Sequence, residues 1–500
     1  MCVRRWQCSC RKLPIRESQQ ARRTKTQRGR RTRTSSGQMI DKKKKKKKKM
    51  KKKHTRRGGP EGATGWARRF EAPSRCAFSA VVNALPRCER IAVPCRSNGE
   101  VNVDVFHSST PSSPVLIYLP PGPVIPESIE EEERVISALA ATSGATIAKV
   151  NYRASSQHQF PTPVHDVLLG YDWVRENLLL DGYSRPVIGR VGVCGELVGG
   201  SLAVMLALTE CRSGESRICA ASVNNPIVDW VFPDDLPTVS EAELLEPVAP
   251  DETALLADED PMALINRSDP KPSQFPKNPK GAGKSSLPTA WQLHGDNTAI
   301  PTPTLSAERD ALFCRPEDYF DRFVSPIHFF RSPQGILLYP KKDDDWASEQ
   351  PDSLLDIETQ MEINHFKSFE ESTSAPALPI LARCRAYARI YPPAGSNLSL
   401  PEWRITAGLQ SPLLDQASDL TRMIRRSVAR QTLKKRMGRV RWQDAEEKEY
   451  YEKYASGRVS METVDGVGLW TQQDSNEQWQ AQVEQTGEWM KEASKPDSAY

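Results

Sequence analysis

Long hydrophobic runs are missing from this sequence of 500 residues. Nowhere do about 18 consecutive apolar residues occur, and the N-terminal region has no apolar core of the kind found in secretory signals. We therefore expect a soluble protein without a transmembrane segment. Its expected location is the cytoplasm, or the nucleus if the basic N-terminal region acts as a localisation signal.

Metal-ligand spacing is also missing. Among the 11 cysteines, Cys8 and Cys10 are too close together for the usual zinc loop, and His54 is the only histidine near them. An odd cysteine count without a secretory signal favours reduced thiols. The sequence predicts neither a metal site nor a cofactor.

Acidic residues are scarce in the first part of the chain. Residues 1–70 hold 27 of the 69 Lys and Arg but only 3 of the 63 Asp and Glu, which leaves 42 basic against 60 acidic residues in the remainder. Residues 1–85 include the polylysine run Lys42–Lys49, and such a block repels itself, so a disordered tail is predicted. Three interpretations stay open: a nuclear-localisation or polyanion-binding tail for nucleic acid, a solvated tail without a role, or translated non-coding sequence.

Between residues 86 and 470 the pattern is typical of an α/β fold. Short apolar runs alternate with amphipathic stretches, which predicts β-α-β crossovers and a mostly parallel sheet covered by helices on both faces. The predicted strands are Cys88–Arg96, Val101–Phe106, Pro114–Leu119, Thr146–Tyr152, Ile218–Val223, Trp403–Ala407 and Ser460–Val464. The predicted helices are Ile129–Ala141, Pro163–Leu180 and Pro412–Met437. Residues 230–380 are predicted to form an insertion with a helix near Leu354–Phe369, and residues 471–500 a polar, partly helical tail.

The centre of this pattern is the stretch from Val187 to Ala207. A buried strand, a sharp glycine-rich turn and an apolar helix follow one another there, which is the pattern of a nucleophile elbow, G-x-S-x-G. The turn consists of Gly195, Glu196, Leu197, Val198 and Gly199. Leucine therefore stands where the elbow would hold its nucleophile.

The region from about 90 to 470 resembles the α/β-hydrolase superfamily, in the branch related to hormone-sensitive lipase and arylacetamide deacetylase. Four collinear stretches carry the resemblance: Val115–Pro123, Asn151–Asp166, Tyr171–Val174 and Gly195–Ala203. They match the strand before the family's His-Gly-Gly-Gly loop, its D-Y-R…F-P…D segment, the y-x-W-[VL] on the same helix, and G-D-S-A-G-G-N-L-A. Two weaker matches, Leu400–Leu413 and Val464–Trp470, correspond to its acid loop and its final turn.

The resemblance implies a carboxylic-ester hydrolase, but the catalytic residues do not carry over. Acyl transfer needs a nucleophile, a base, an orienting acid and an oxyanion hole. Leu197 takes the nucleophile position, Ser411 the acid position and Leu469 the histidine position, and no histidine follows His365. The sequence therefore predicts that the whole triad is lost.

The oxyanion hole is altered as well. The family's loop offers backbone N–H groups from successive glycines, whereas the corresponding loop of this chain contains Pro120, Pro121 and Pro123, which have none. Gly122 and Val198 are the remaining predicted donors.

Other groups are considered as substitutes. Cys194 lies in the register G-x-C-x, Ser201 and Asp415 lie on helices, and His158 and His165 lie in the family-like segment. A buried apolar role for Cys194 and structural or surface roles for the other four are the competing interpretations.

Two functions follow. The first is a pseudo-hydrolase that binds a small acyl-like or lipid-like ligand, or a partner, without turning it over. The alternative is a divergent, weakly active carboxylesterase that uses a substitute nucleophile such as Cys194.

Overall fold

The structure is a computed structural model that describes residues 88–95, 99–110, 113–126, 128–179, 190–212, 217–237, 245, 255–256, 288–339, 379–393, 395–439, 442–471 and 478–495. The chain divides into two units, Met1–Ala80 and Val81–Tyr500, and every described residue belongs to the second. The predicted disordered tail and the predicted helix Leu354–Phe369 lie outside the described residues.

An eight-stranded sheet forms the centre of the fold. Its strands, in chain order, are β1 (Cys88–Pro94), β2 (Glu100–Phe106), β3 (Val115–Leu119), β4 (Thr146–Asn151), β5 (Val191–Glu196), β6 (Ile218–Asn224), β11 (Glu402–Gly408) and β12 (Val459–Val464). Their spatial order is β1-β2-β4-β3-β5-β6-β11-β12. The β1-β2 and β2-β4 pairs are antiparallel, and the strands from β4 to β12 pair in parallel. The predicted mostly parallel sheet and the strands named from the sequence are confirmed.

In the described part of the chain, long helices cover the two faces of the sheet. They are α1 (Ile129–Ser143), α2 (Thr162–Asn177), α3 (Leu197–Thr209), α6 (Leu414–Met437) and α8 (Gln478–Ala493). Buried residues of α2, α3 and α6 form one apolar cluster with one face of the sheet, and those of α1 and α8 form a second cluster on the other face. Because successive residues of a strand point to opposite faces, Val193 lies in the first cluster and Cys194 in the second.

The insertion between β6 and β11 contains small elements. They are the helices α4 (Ala290–Leu293) and α5 (Thr302–Leu312) and the strands β7 (Leu255–Leu256), β8 (Gly335–Leu338), β9 (Ile380–Arg383) and β10 (Tyr387–Ala388). The β10-β7 and β8-β9 pairs form two separate antiparallel ribbons. Within the described ranges, every helix is too short or too polar to span a bilayer.

Two features at the C-terminal end differ from the sequence-based expectation. Helix α7 (Ala445–Arg458) was not predicted, because its many charged and tyrosine residues hide any apolar stripe. Its start was visible in the sequence as Asp444, whose side chain accepts a hydrogen bond from the Glu447 N–H at 2.7 Å. Helix α8 lies in the predicted polar tail, yet its residues Val483 and Met490 are buried in the second cluster, so this segment is part of the fold.

Candidate functional site

The turn between β5 and α3 has the geometry of an elbow. Leu197, the first residue of α3, has φ of 51°, a left-handed conformation that leucine rarely adopts. A Cβ atom on Gly199 would lie 2.1 Å from the carbonyl oxygen of Pro120, and one on Gly195 would lie 2.5 Å from the carbonyl oxygen of Gly199. The two glycines are therefore required for close packing, and the turn places Leu197 where an elbow presents its nucleophile.

Leu197 is fully buried. Its side chain belongs to the first apolar cluster, and its carbonyl oxygen accepts a hydrogen bond from the Ile227 N–H at 3.3 Å. An isobutyl group has no atom that can attack a carbonyl carbon. The elbow therefore has the backbone of a catalytic turn and the side chain of a core residue.

The loop of prolines packs directly on the elbow. The Tyr152 hydroxyl donates a hydrogen bond of 2.7 Å to the Pro120 carbonyl oxygen. Gly122 has φ of 81°, and a Cβ atom there would lie 3.0 Å from the Cβ of Val198. The Val198 N–H, expected from the sequence to remain a donor of the oxyanion hole, donates to the Pro121 carbonyl oxygen at 3.2 Å. In this geometry an internal carbonyl occupies the donor that would stabilise an oxyanion.

The two other triad positions lie in buried surroundings. Ser411 is fully buried, and its hydroxyl accepts a hydrogen bond from the Leu413 N–H at 3.2 Å. Leu469 is buried in the same apolar cluster as Leu197. The side chains at these three positions thus include no carboxylate and no imidazole, and the elbow position itself carries no nucleophilic atom.

Cys194 faces away from this turn. Its side chain lies in the second cluster, together with Tyr118, Trp470 and Met490, whereas Leu197 lies in the first. Burial raises the pKa of the Cys194 thiol far above its ordinary value. A thiolate is needed for nucleophilic attack, so both the orientation and the ionisation state of Cys194 are unfavourable.

The other substitutes have structural partners. The Ser201 hydroxyl is buried and donates to the Val324 carbonyl oxygen at 3.3 Å. Asp415 is exposed and accepts a hydrogen bond from the Ala290 N–H at 2.7 Å. His165 is exposed on α2, and the backbone of His158 bridges to Ser155 in a turn.

One further histidine is buried. His328 contacts the Phe320 carbonyl oxygen through Nδ1 at 3.3 Å, and its Nε2 lies 3.8 Å from a carboxylate oxygen of Asp229. Burial lowers the pKa of His328 to about 4 despite the nearby carboxylate. Arg331 also pairs with Asp229, at 2.7 Å. In the described part of the chain, no cluster of three or more His, Cys, Asp or Glu side chains is arranged to hold a metal ion.

Glu196 has a role that the sequence did not reveal. Its carboxylate accepts hydrogen bonds from Asn224 Nδ2 at 2.7 Å, from the Trp470 N–H at 2.6 Å and from the Thr471 hydroxyl at 2.8 Å. Burial raises its pKa to about 7, although these donors favour the ionised form. Glu196 thereby joins the elbow to the turn after β12, which in the family carries the catalytic histidine.

Two asparagines support the same turn. Asn224 Nδ2 also donates to the Gly468 carbonyl oxygen at 2.7 Å, and Asn225 Nδ2 donates to the Val467 carbonyl oxygen at 3.0 Å. In the sequence, the two asparagines are a pair of polar residues at the carboxyl end of a buried strand. Ligand-binding sites of parallel sheets lie at that end of the strands.

The scaffold contacts of the family-like segment are present. Asp166 accepts hydrogen bonds from the Arg153 guanidinium at 2.8 and 2.9 Å and from the Arg153 backbone N–H at 3.0 Å. This buried pair holds the segment after β4 against α2. The residues that shape this part of the fold are therefore in place.

Comparisons with known proteins agree with this geometry. Residues 116–268 match the family model of the alpha/beta hydrolase fold. The chain is 34% identical over 92 residues to ethyl acetate hydrolase of Pseudomonas putida, which covers 18% of this chain and 28% of that protein. It is 31% identical over 133 residues to neutral cholesterol ester hydrolase 1 of Mus musculus, which covers 25% and 31%. The matched stretches thus span less than a third of these two relatives.

Among solved structures, the chain is similar to an esterase from the archaeon Pyrobaculum calidifontis. The sequence identity is 16% and the TM-score 0.44, and the alignment covers 82% of this chain and 86% of that one. The family match, together with the sheet order and the elbow, supports one conclusion. Residues 116–268 of this chain belong to the alpha/beta hydrolase fold family, and the chain resembles the carboxylesterase-like branch related to hormone-sensitive lipase.

Proposed function

We propose that this protein is a pseudo-hydrolase, which binds a small acyl-like or lipid-like ligand without hydrolysing it. The observation that carries the proposal is that Leu197 takes the left-handed conformation of an elbow residue, with φ of 51°, but has a side chain that cannot attack an ester. Ser411 and Leu469 at the other two catalytic positions, and the Val198 N–H that donates to Pro121, support the loss of turnover. Function belongs to the site, so the fold alone does not imply hydrolysis.

An apolar ligand suits the surroundings of the elbow. Ile125 and Val467 are only partly buried and pack against the core cluster that contains Leu197 and Leu469. Ligand pockets of this kind are lined mainly by apolar side chains with few polar groups. An acyl chain would find apolar contacts and no group that cleaves its ester bond.

The experiment is hydrolysis of p-nitrophenyl butyrate by the full chain, beside a variant that combines Leu197→Ser, Ser411→Asp and Leu469→His. We expect wild-type rates equal to those of a non-specific protein control, while the ester raises the melting temperature without being consumed. Turnover at an ordinary esterase rate, about 1 per second or more, would contradict the proposal. The triple variant shows whether restoring the three side chains is sufficient when Val198 still donates to Pro121.

The alternative, a weakly active carboxylesterase that uses Cys194, has less support. Cys194 points to the opposite face of the sheet and its thiol pKa is raised by burial. Cys194→Ala tests it directly: any esterase activity that disappears in this variant would favour the alternative, and unchanged activity would exclude it.

A further inference from the structure

Basic side chains converge at the edge of the sheet opposite to the elbow. Arg217 directly precedes β6, and Arg458 directly precedes β12. Because β6, β11 and β12 are adjacent parallel strands, both residues lie at the same amino-terminal edge. Lys435, near the C-terminal end of α6, reaches this edge from the helix layer.

The contacts of these side chains meet at the entry to β11. Lys435 Nζ lies 3.4 Å from the Ser399 hydroxyl, and Arg458 Nη2 donates to the Leu400 carbonyl oxygen at 3.2 Å. The Ser399 N–H in turn donates to the carbonyl oxygen of Cys211, whose thiol lies within the field of Arg217. All three cations therefore lie near Cys211 and near the pair Ser399 and Leu400 that precedes β11.

Acidic compensation at this edge is small. Within the described part of the chain, Glu402 is the ion-pair partner of Arg458, at 3.8 Å, and neither Arg217 nor Lys435 has an acidic partner. Although Lys435 is exposed, desolvation of its ammonium group and the charges of Arg458 and Arg217 lower its pKa. The charge of Glu210 also acts on Cys211, so three positive charges face two carboxylates, on a body that is acidic beyond residue 70.

A structural role accounts for only part of this arrangement. Lys434, Lys435 and Arg436 lie in the last turn of α6, where cations offset the partial negative charge of the helix end. Arg458 is the last residue of α7, so the same effect applies to it. Arg217 belongs to no helix. Its place beside these two helix ends needs another explanation.

We propose that Arg217, Lys435 and Arg458 form a binding site for a phosphate group at the amino-terminal edge of the sheet. Arginine and lysine are the side chains that bind phosphate oxygens, and the Ser399 hydroxyl can rotate to donate to one of them. A phosphate anion would balance the positive charge that Glu402 and Glu210 leave unpaired. This site is independent of the elbow and of any acyl ligand.

The test compares phosphate with chloride at equal ionic strength, by calorimetric titration of the full chain. Wild type and Lys434→Gln, which removes a neighbouring exposed lysine, are expected to bind inorganic phosphate equally. In Lys435→Gln and Arg458→Gln the dissociation constant should rise about tenfold, as expected when one hydrogen bond to a charged group is lost. The basic residues 1–85 are the same in every variant, so their own phosphate binding cancels in the comparison.

Glu402→Gln should change the phosphate affinity in the opposite direction. It removes the competing carboxylate beside Arg458, so the affinity for phosphate should increase, an effect that a purely structural role of the cations would not produce. Equal phosphate affinity in wild type, Lys435→Gln and Glu402→Gln would overturn the proposal.

A second arm identifies the source of the phosphate group. It measures sedimentation with phosphatidylcholine vesicles that contain or lack phosphatidic acid. Sedimentation that depends on Lys435 would identify a lipid headgroup. Calorimetric binding without such sedimentation would identify a soluble phosphate compound.

Discussion

Glu196, the residue before Leu197 in the elbow, connects segments that are far apart in the sequence. Its carboxylate has no serine to assist, yet it holds Asn224, Trp470 and Thr471, the last two located more than 270 positions further along the chain. The Glu196 side chain is fully buried. The residue thus couples the elbow to the final turn, and its ionisation should affect the stability of the whole fold.

The pH dependence of unfolding tests this coupling. The pKa of Glu196 is about 7 in the folded protein and ordinarily 4.5, so the folded state keeps a proton that the unfolded chain has released. Its contribution is complete below about pH 4.5 and is lost as the pH rises through about 7, which amounts to about 3 kcal/mol. In Glu196→Gln, the fall in unfolding free energy between pH 5 and pH 8 should be smaller by about 2–3 kcal/mol.

Urea unfolding of wild type and variant at the two pH values measures this difference. Glu446→Gln, a change at an exposed glutamate of α7, serves as the control and should leave the wild-type slope unchanged. If the unfolding free energy of wild type and of Glu196→Gln fell by the same amount between the two pH values, the pKa of this carboxyl would not differ between the folded and unfolded states.

At the scale of elements, the elbow depends on a backbone contact between α3 and the loop after β3. The carbonyl oxygens of Leu119 and Pro120 approach Gly199 so closely that no side chain fits between them. The same contact brings the Pro121 carbonyl oxygen to the Val198 N–H. The close packing of the turn is therefore present although leucine stands at its first helical position.

Two glycine-to-alanine substitutions distinguish the effect of this close packing on stability from the effect of helix propensity. In Gly199→Ala the new Cβ would lie 2.1 Å from the Pro120 carbonyl oxygen. The unfolding free energy should therefore fall by about 1–3 kcal/mol or more. In Gly457→Ala on α7, no atom lies within 4 Å of the new Cβ, and helix propensity should raise stability by up to about 1 kcal/mol. Thermal and urea unfolding measure both, and equal effects of the two substitutions would refute a packing requirement at Gly199.

At the scale of the molecule, the last helix completes the fold. Helix α8 packs beside α1 and closes the second face of the sheet, with Met490 and Val483 in the cluster that also buries Cys194 and Trp470. A side chain on Gly192 in β5 would meet Met490 Sδ at 3.1 Å, so the helix lies directly over the elbow strand.

Truncation of Met490 tests whether α8 is part of the stable fold. Met490→Ala should lower the unfolding free energy by about 2–5 kcal/mol, as for other buried large-to-small changes. The neighbouring exposed Lys491→Ala should change it by less than about 0.5 kcal/mol. Equally small effects of both changes in urea unfolding would show that the helix detaches before the rest of the protein unfolds.

The sequence by itself determined the features that depend on neighbouring residues. Apolar periodicity located the strands of the central sheet and the helices α1, α2, α3 and α6, because burial imposes a local period on each element. The resemblance to the hydrolase family likewise predicts that Leu197, Ser411 and Leu469 stand at the catalytic positions, and this assignment stays a prediction. Helix α7, which lacks an apolar stripe, escaped this reasoning.

Only the tertiary structure decided which distant groups meet. Nothing local indicates that Glu196 accepts from Trp470, that the Val198 N–H donates to Pro121, or that Lys435 approaches Ser399. Buried polar groups must find partners, but the partners are supplied by whichever segments the sheet order brings together. Sequence periodicity therefore fixes which face of an element is buried, and topology fixes what its polar groups contact there.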